Sequence, residues 1–402
     1  MNPVTVTGIG LVTPAGIGVE ANWRTLVAGT PTAATDPELK ELPVQFSCRV
    51  PDFDPVEQLG RSHAWRYDPV TQFALAAARE AIVGAALDPA TWDGARVGVV
   101  IGSCVGGARI GAMANDQLRE KGPDSVSAMF LPMHLVNMVA GVISIQCRIT
   151  GPNMVISTAC ASGATAIGVA RDLLLSDRCD VVLAGGAEAA ITPLFVSGFA
   201  RMNTLSRRND DPAGASRPFS ADRDGFVMAE GAGMLVLERS ADAEARGVRP
   251  WARIIGCGNS ADGHHVTSPH PEGLGARAAA RQACAEAGIS PAEVGHVNAH
   301  GSGTPMSDVI ESRYIEEFFP SALTTSTKSV TGHTLGAAGA IEAAYTAMAL
   351  RHQTVPGTAN LDALDPDIRI DVATGPTSVS VEVAASNSFG FGGHNAVLLM
   401  AR

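Results

Sequence analysis

A thiol becomes a nucleophile when positive charge or a helix N-terminus stands beside it and small neighbours leave it open. Of the seven cysteines in the chain, Cys160 has that setting. It lies in VISTACASGATAIG, residues 155 to 168, where an apolar strand end passes into a helix start. Ala159, Ala161, Ser162 and Gly163 leave room for a substrate to reach the sulfur. Free backbone N–H groups and the helix dipole favour the thiolate there and predict a lowered pKa. The logic is that of a nucleophile elbow with cysteine in place of serine. Cys104, Cys147, Cys179, Cys257 and Cys284 read as buried, inert cysteines.

A nucleophile needs partners, and the second half of the chain offers three segments. In NAHGSGTPMSD (298 to 308) a strand delivers His300 into a Gly/Ser/Thr loop that leaves its ring open to a ligand. In STKSVTGHTLGAAGAIEA (326 to 343) Lys328 and His333 flank a turn before a helix of small residues. A helix N-terminus disfavours imidazolium, so His333 is expected neutral and able to donate one hydrogen bond to a developing oxyanion. NSFGFGGHN (387 to 395) reads as a mobile or strained loop whose N–H groups supply half of an oxyanion hole.

The elements that must position these groups show in the hydrophobic pattern. Apolar strand-like runs recur: VTVTGIG, ARVGVVIG, DVVLAGG, GMLVLE, ARIIGCG, HVNAHG, ALTTSTKS and AVLLMAR. Helical patterns such as VTQFALAAAREAIVGAAL and GARAAARQACAEAG lie between them, which is the signature of a layered α/β fold. A break near Arg249 divides the chain into 1–249 and 250–402. Each half opens on a strand ending in a glycine turn, TGIG and IGCG, a hint of internal duplication.

Composition limits the function. The chain has 402 residues, 46% of them hydrophobic, enough for a large buried core. A formal net charge of −11 excludes nucleic acid as the expected partner, and an acidic partner would need a local basic patch. An odd number of cysteines without CxxC argues against a disulfide framework or a zinc site and for a reducing cytoplasm. MNPVTVTGIG reads as a strand rather than a signal peptide. Residues 128 to 147 carry no formal charge, but Pro132, His134, Asn137 and Gln146 argue against a membrane span. TGIGLVTPAG lacks the third glycine of a dinucleotide fingerprint. His264, His265 and His270 have metal-like spacing but no matching Cys or carboxylate cluster, so no metal is expected.

Taken together, STACASG, NAHGSGTP, TKSVTGHTLGAAG and NSFGFGGHN resemble the signatures of the β-ketoacyl-acyl carrier protein synthases. RPFSADRDGFVMAEGAG (217 to 233) and SADGHHVTSP (260 to 269) extend the likeness over about residues 5 to 400. Within that family the chain is similar to the elongating Cys-His-His type, which includes ketosynthase subunits of type II polyketide systems. The resemblance implies a thiolase-like α/β fold, two pseudo-duplicated halves in five αβαβα layers, and a homodimer or a heterodimer with a homologous partner subunit. It implies that Cys160 takes an acyl group from an acyl carrier protein and that His300 and His333 bond the enolate oxygen formed when malonyl-carrier protein loses CO2. The N–H groups of Cys160 and Phe391 would hold the acyl oxyanion, with Phe391 also a gate. Lys328 would bond near His333 and Glu342, while Asp308 and Glu311 order loops near the histidines.

The resemblance assigns further positions. Thr267, Ser302 and Thr304 would bond the pantetheine arm. Val105, Phe130, Leu131, Met133 and His134 would line the acyl pocket, partly across a dimer interface. Arg61, Arg66, Arg207 and Arg208 would dock the acidic carrier protein. No resident cofactor is implied, since phosphopantetheine arrives on the carrier. Ser220, Ala229 and Ser307 depart from frequent family residues without removing a catalytic group. Two other readings share the fold: a non-catalytic chain-length partner subunit, which would lack the nucleophile, and a thiolase, which would need a late cysteine that is absent after residue 284. Fatty acid and polyketide assembly use the same chemistry, and the polar His134 at a pocket position leans the reading toward a polyketide or other secondary role.

Overall fold

Residues 3–402 are described in a computed structural model, so Met1 and Asn2 of the expected first strand lie outside the described residues. The first half contributes five principal strands: β1 (Val4–Thr13), β2 (Val97–Gly102), β3 (Asn153–Ile156), β4 (Val181–Glu188) and β5 (Gly231–Arg239). The second contributes β6 (Ala252–Ala261), β7 (His296–Asn298), β8 (Leu323–Thr325), β9 (Val383–Gly390) and β10 (His394–Ala401). Their spatial orders are β3-β2-β4-β5-β1 and β8-β7-β9-β10-β6. Counted within each half, both are 3-2-4-5-1. The directions match too. β2 runs parallel to β3 and β4, and β7 parallel to β8 and β9. The pairs β4–β5 and β5–β1 are antiparallel, as are β9–β10 and β10–β6. The duplication is therefore structural, and antiparallel pairing of Val4–Val6 with Ala252–Ile254 joins the two sheets at their edges.

Side chains alternate across each strand, so each sheet feeds two cores. Along β5, Ala232, Met234 and Val236 face α1 (Pro69–Gly84) and α2 (Met138–Gln146), while Leu235 and Leu237 face the opposite core. Along β10, Val397 and Leu399 face α4 (Leu274–Ala287) and α5 (Pro305–Phe318), while Ala396, Leu398 and Met400 share the same central core as Leu235. That central core is filled by α3 (Ser162–Leu175) and α6 (Ala338–His352). The five layers are thus α1/α2, sheet, α3/α6, sheet, α4/α5.

The two central helices touch through reciprocal glycines. A Cβ on Gly163 would lie 2.6 Å from the Ala340 nitrogen, and one on Gly339 would lie 2.6 Å from the Ala164 nitrogen. This close approach brings the start of α3, with Cys160 just before it, beside the turn that leads into α6, with His333 just before that. The apolar run at 128–147 divides into a short helix, Phe130–His134, and α2, with Leu135 extended between them. Among the described residues no helix is long and apolar enough to cross a membrane.

Candidate active site

Cys160 follows Ala159, whose φ of 49° is a left-handed conformation costly for a residue with a Cβ. This is the strained turn expected of a nucleophile elbow. The Cys160 Sγ lies 3.1 Å from His333 Nε2, and the His333 ring stands 5.3 Å from the His300 ring at 86°. Phe226 packs edge-on against His333, with ring centres 5.2 Å apart. Cys160, His300, His333, Phe391, Thr267, Ser302 and Thr304 line one cavity of about 520 Å³. The side chains of Cys160, His300 and His333, from three distant segments, therefore share one space.

Carboxylates hold the histidine loop. Glu311 accepts hydrogen bonds from the N–H groups of His300 (2.8 Å) and Gly301 (2.7 Å) and from Asn387 Nδ2 (3.1 Å). Asp308 accepts from Phe219 N at 2.9 Å and Gly303 N at 3.1 Å, and lies 3.5 Å from the Arg223 guanidinium. Burial pushes Glu311 up to about 7 and Asp308 up to about 6, against these same hydrogen bonds. Lys328 Nζ pairs with Glu342 and donates to the His300 carbonyl at 2.6 Å. Lys328 also opens a helical turn, Lys328–Thr331, where the sequence suggested a strand end.

The glycine-rich segment is a hairpin rather than a loose loop: β9 runs to Gly390, Phe391 starts the turn, and β10 begins at His394. Gly392 (φ 82°) and Gly393 (φ 74°) supply the left-handed residues of the turn. A Cβ at Gly390 would sit 3.0 Å from the Cys160 nitrogen and 2.6 Å from the Thr158 carbonyl oxygen. Glycine therefore lets this strand end press against the nucleophile's own N–H.

The electrostatics correct one expectation. Burial pushes the Cys160 thiol up to about 12; the Lys328 charge opposes this and Glu188 reinforces it. The local helix dipole does not prevail over desolvation, so the resting form is the thiol. Both imidazoles are held well below their ordinary pKa, first by burial and then by Lys328. His333 is neutral as expected, but because it is buried beside a cation. Alkylation of Cys160 by iodoacetamide should accordingly accelerate about tenfold per pH unit from about pH 7 to 9, with no plateau. A plateau below about pH 8 in an iodoacetamide titration followed by mass spectrometry would contradict a raised thiol pKa.

Other assignments fare differently. Val105 packs in the apolar cluster that contains Cys160 and Phe199. Phe130, Leu131, Met133 and His134 do not line the Cys160 cavity of their own chain; Leu131 is 56% exposed and Met133 lines a second cavity with Trp65 and Tyr67. The His134 ring stacks on Phe130 at 5.1 Å and bonds the Gly107 carbonyl oxygen at 2.9 Å. Arg208 is no bare docking charge, since Asp222 (2.8 Å) and Asp224 (3.7 Å) engage it. Arg207 is exposed and donates to Asn203, at the cavity wall. Arg61 and Arg66 are exposed, close in sequence to residues that line the second cavity. The His264 and His270 rings are 5.1 Å apart, and among the described residues no three His, Cys, Asp or Glu side chains are grouped to hold a metal.

Sequence reasoning missed Glu188, the fully buried last residue of β4. It accepts from the N–H groups of Cys104 (2.7 Å) and Val105 (3.3 Å), tying the loop after β2 to the floor beneath Cys160. Burial pushes its carboxyl up to about 7. A carboxylate ending the apolar run DVVLAGGAE was the available signal, because such a group must find donors. Phe199, 6.2 Å from the Phe391 ring and 5.4 Å from Phe226, was also missed.

A cysteine facing two neutral imidazoles where two duplicated halves meet defines a cysteine-nucleophile site of the thiolase-like fold. Comparison narrows it. The family described as "Beta-ketoacyl synthase, N-terminal domain" matches residues 1–243, and "Beta-ketoacyl synthase, C-terminal domain" matches 251–362. The chain belongs to the β-ketoacyl synthase family. It is 41% identical to a 3-oxoacyl-[acyl-carrier-protein] synthase 2 of Vibrio cholerae over 99% of both chains. The ishigamide ketosynthase/chain length factor structure superposes with a TM-score of 0.93 at 30% identity, covering 100% of this chain and 99% of that one. A type II PKS acyl-carrier protein in complex with its ketosynthase, bound to the hexaketide, gives 0.89 at 30% identity, covering 100% and 99%.

Proposed function

We propose that the chain is a catalytic 3-oxoacyl-[acyl-carrier-protein] synthase, extending an acyl chain by decarboxylative Claisen condensation. The observation that carries this reading is the Cys160 sulfur 3.1 Å from His333 Nε2, with the His300 ring 5.3 Å beyond, inside one cavity. The Cys160 thiol passes its proton to His333 Nε2 as sulfur attacks the acyl thioester carbonyl. The carrier's pantetheine thiolate leaves and takes that proton. Malonyl-carrier protein then enters, its C–C bond to the carboxylate breaks, and CO2 departs. The enolate oxygen accepts hydrogen bonds from His300 and from His333 in its Nε2–H tautomer. The carbanion attacks the acyl-Cys160 carbonyl, whose oxyanion is held by the N–H groups of Cys160 and Phe391. Collapse releases a 3-ketoacyl carrier and the Cys160 thiolate, which takes up a proton from solvent to restore the resting thiol.

Thr267, Ser302 and Thr304 bond the pantetheine arm, and Lys328, Asp308, Glu311 and Glu342 order the histidines. The exposed Leu131, Leu135 and Ile145 and the open outer edge of β3 support a second chain, identical or homologous, covering this face. Phe130, Leu131, Met133 and His134 would then act across that interface. The structure with 30% identity that pairs a ketosynthase with its acyl-carrier protein supports a carrier as partner. Seven free cysteines support a reducing, cytoplasmic setting. The 41% identity to a synthase 2 over 99% of the chain supports the elongating synthase reading. A chain-length partner subunit without the nucleophile is disfavoured, because Cys160, His300 and His333 are all in place.

Mass spectrometry after incubation with acyl-carrier proteins of several chain lengths tests the reading. A mass gain equal to the acyl group, lost in Cys160→Ala, is expected. No gain with any donor would overturn it.

A further inference from the structure

The condensation chemistry gives Glu188 no task, yet this carboxylate is fully buried and its charge acts on the nucleophile. Its side chain gathers donors from both halves of the molecule. From the first half come Cys104 N at 2.7 Å, Val105 N at 3.3 Å and Ser103 Oγ at 3.4 Å. From the second comes the N–H of Gly336, three residues after His333. The junction is tight: a Cβ on Gly336 would lie 2.6 Å from Glu188 Oε2 and 2.8 Å from the Cys104 nitrogen. Leu335, just before it, is buried, left-handed (φ 49°) and lines the cavity with Cys160 and His333. Such a conformation persists in a branched residue only where its surroundings over-determine it, and the bond from Gly336 to Glu188 does so here.

A buried carboxylate is ordinarily paired with a cation. Glu188 is not: Lys328, the buried cation of the site, pairs with Glu342 instead. Hydrogen bonds alone hold the charge, and burial pushes the carboxyl up to about 7. From the elements packed against it, the titratable groups are Cys104 after β2, Cys160 before α3 and His333 before the Gly336 turn. Burial first, and then the Glu188 charge, push the Cys104 thiol up. At Cys160 burial leads again, and the charges of Glu188 and Glu342 add to it against that of Lys328.

We propose that Glu188 is a positioning residue that works as an anion, locking the loop under Cys160 to the turn that carries His333 and keeping the sulfur protonated until His333 takes its proton. The inference rests on the reading of Cys160 as the acyl acceptor. Val105 shares an apolar cluster with Cys160, so a shift of its loop moves the wall on which the sulfur rests. Gly336 stands between His333 and α6, so a shift there moves Nε2 from its place 3.1 Å from the sulfur. A misplacement of about 1 Å is enough to slow a reaction severely. Holding back the thiolate also shields Cys160 from oxidants between turnovers, because oxidation follows thiolate character.

Glu188→Gln keeps the shape and removes the charge, and whichever way the amide turns, its NH2 meets an N–H donor. In steady-state condensation by the full-length enzyme at about pH 8, kcat should fall about tenfold while KM for the acyl carrier stays within about twofold. The ratio of wild-type to variant rate should shrink as pH falls through about 7, because protonation removes the same charge. The melting temperature at about pH 8 should not fall, since a carboxylate with a raised folded pKa loses its stabilising contribution as pH rises through that pKa. Iodoacetamide alkylation of Cys160 should be about three- to tenfold faster in the variant at about pH 8 and equal to wild type near about pH 6. Gly336→Ala disturbs the same junction without touching the charge. It should lower kcat about tenfold, leave alkylation within about twofold, and slow Glu188→Gln by no more than about twofold further. A rate ratio independent of pH, or a rate loss matched by a loss of melting temperature, would reduce Glu188 to packing and overturn the proposal. Additive losses in the double variant would equally overturn it, by removing the link between the halves. If wild-type Cys160 accepts no acyl group from any acyl carrier, the functional reading fails instead, while the alkylation ratio still decides the role of the Glu188 charge.

Discussion

His333→Ala is expected to lower condensation by about 10³-fold and to slow the acylation of Cys160 as well. Its Nε2 is the nearest proton acceptor to the thiol, at 3.1 Å. A thiol pushed up to about 12 by burial cannot attack without one. The ring can serve because it is neutral, held well below its ordinary pKa by burial and the Lys328 charge. The His300 ring stands 5.3 Å from the His333 ring, and among the described residues no hydrogen bond joins it to the Cys160 sulfur. His300→Ala should therefore leave the acyl-Cys160 step close to wild type and lower only the second half-reaction, by about 10²–10³-fold, through loss of one donor to the enolate oxygen. Rapid-quench mass spectrometry measures acyl-enzyme formation, and CO2 release from malonyl-carrier protein measures the other half. Equal slowing of acylation in both variants would remove the division of labour between the two rings. Circular dichroism should find both variants folded, since each substitution only enlarges an existing cavity.

The local chemistry was readable in the sequence; what depends on distant packing was not. Cys160, His300 and His333 each sit among Gly, Ser, Ala and Thr residues that leave a side chain open, and that exposure is a local property of the segment. The strands were visible as apolar runs, and the helices as periodic stretches between them. The 3-2-4-5-1 order in each half was not visible, because strand pairing joins segments far apart and the halves share little identity. The direction of the Cys160 shift was lost for a related reason. The helix dipole is a local effect, whereas the desolvation comes from segments distant in sequence that pack around the thiol. Arg208 read as a free cation until the fold laid Asp222 and Asp224 against it, although the acidic run SADRD a few residues on carried the warning. Glu188 looked like the end of a strand and became the anchor of the Cys104–Val105 loop only when β2 and β4 paired in parallel.

Lys328→Met should cost both stability and activity, and a second substitution should separate the two. Lys328 is 1% exposed, pairs with Glu342 and donates to the His300 carbonyl. Methionine fills its volume but leaves the Glu342 carboxylate buried without its cation, a loss of about 3–5 kcal/mol for a broken buried pair. Burial already pushes Glu342 up to about 7, and Lys328 is the main force opposing that rise. Without the lysine the folded pKa climbs further above its unfolded value. A group with a raised folded pKa contributes stability that is fully present below the unfolded pKa and lost as pH rises through the folded one. The Lys328→Met deficit in melting temperature should therefore be largest near pH 8 and shrink toward about pH 5. Lys328→Met/Glu342→Gln removes the buried charge and should recover most of the stability at all pH values. It should not recover condensation, which is expected to stay about 10²-fold low because the His300 carbonyl has lost its donor and the ring its fixed position. The acid limb of the rate profile should also move to higher pH in both variants, because the Lys328 charge no longer opposes protonation of His300 and His333. Recovery of activity together with stability in the double variant would reduce Lys328 to a structural ion pair and remove it from the positioning of the histidines.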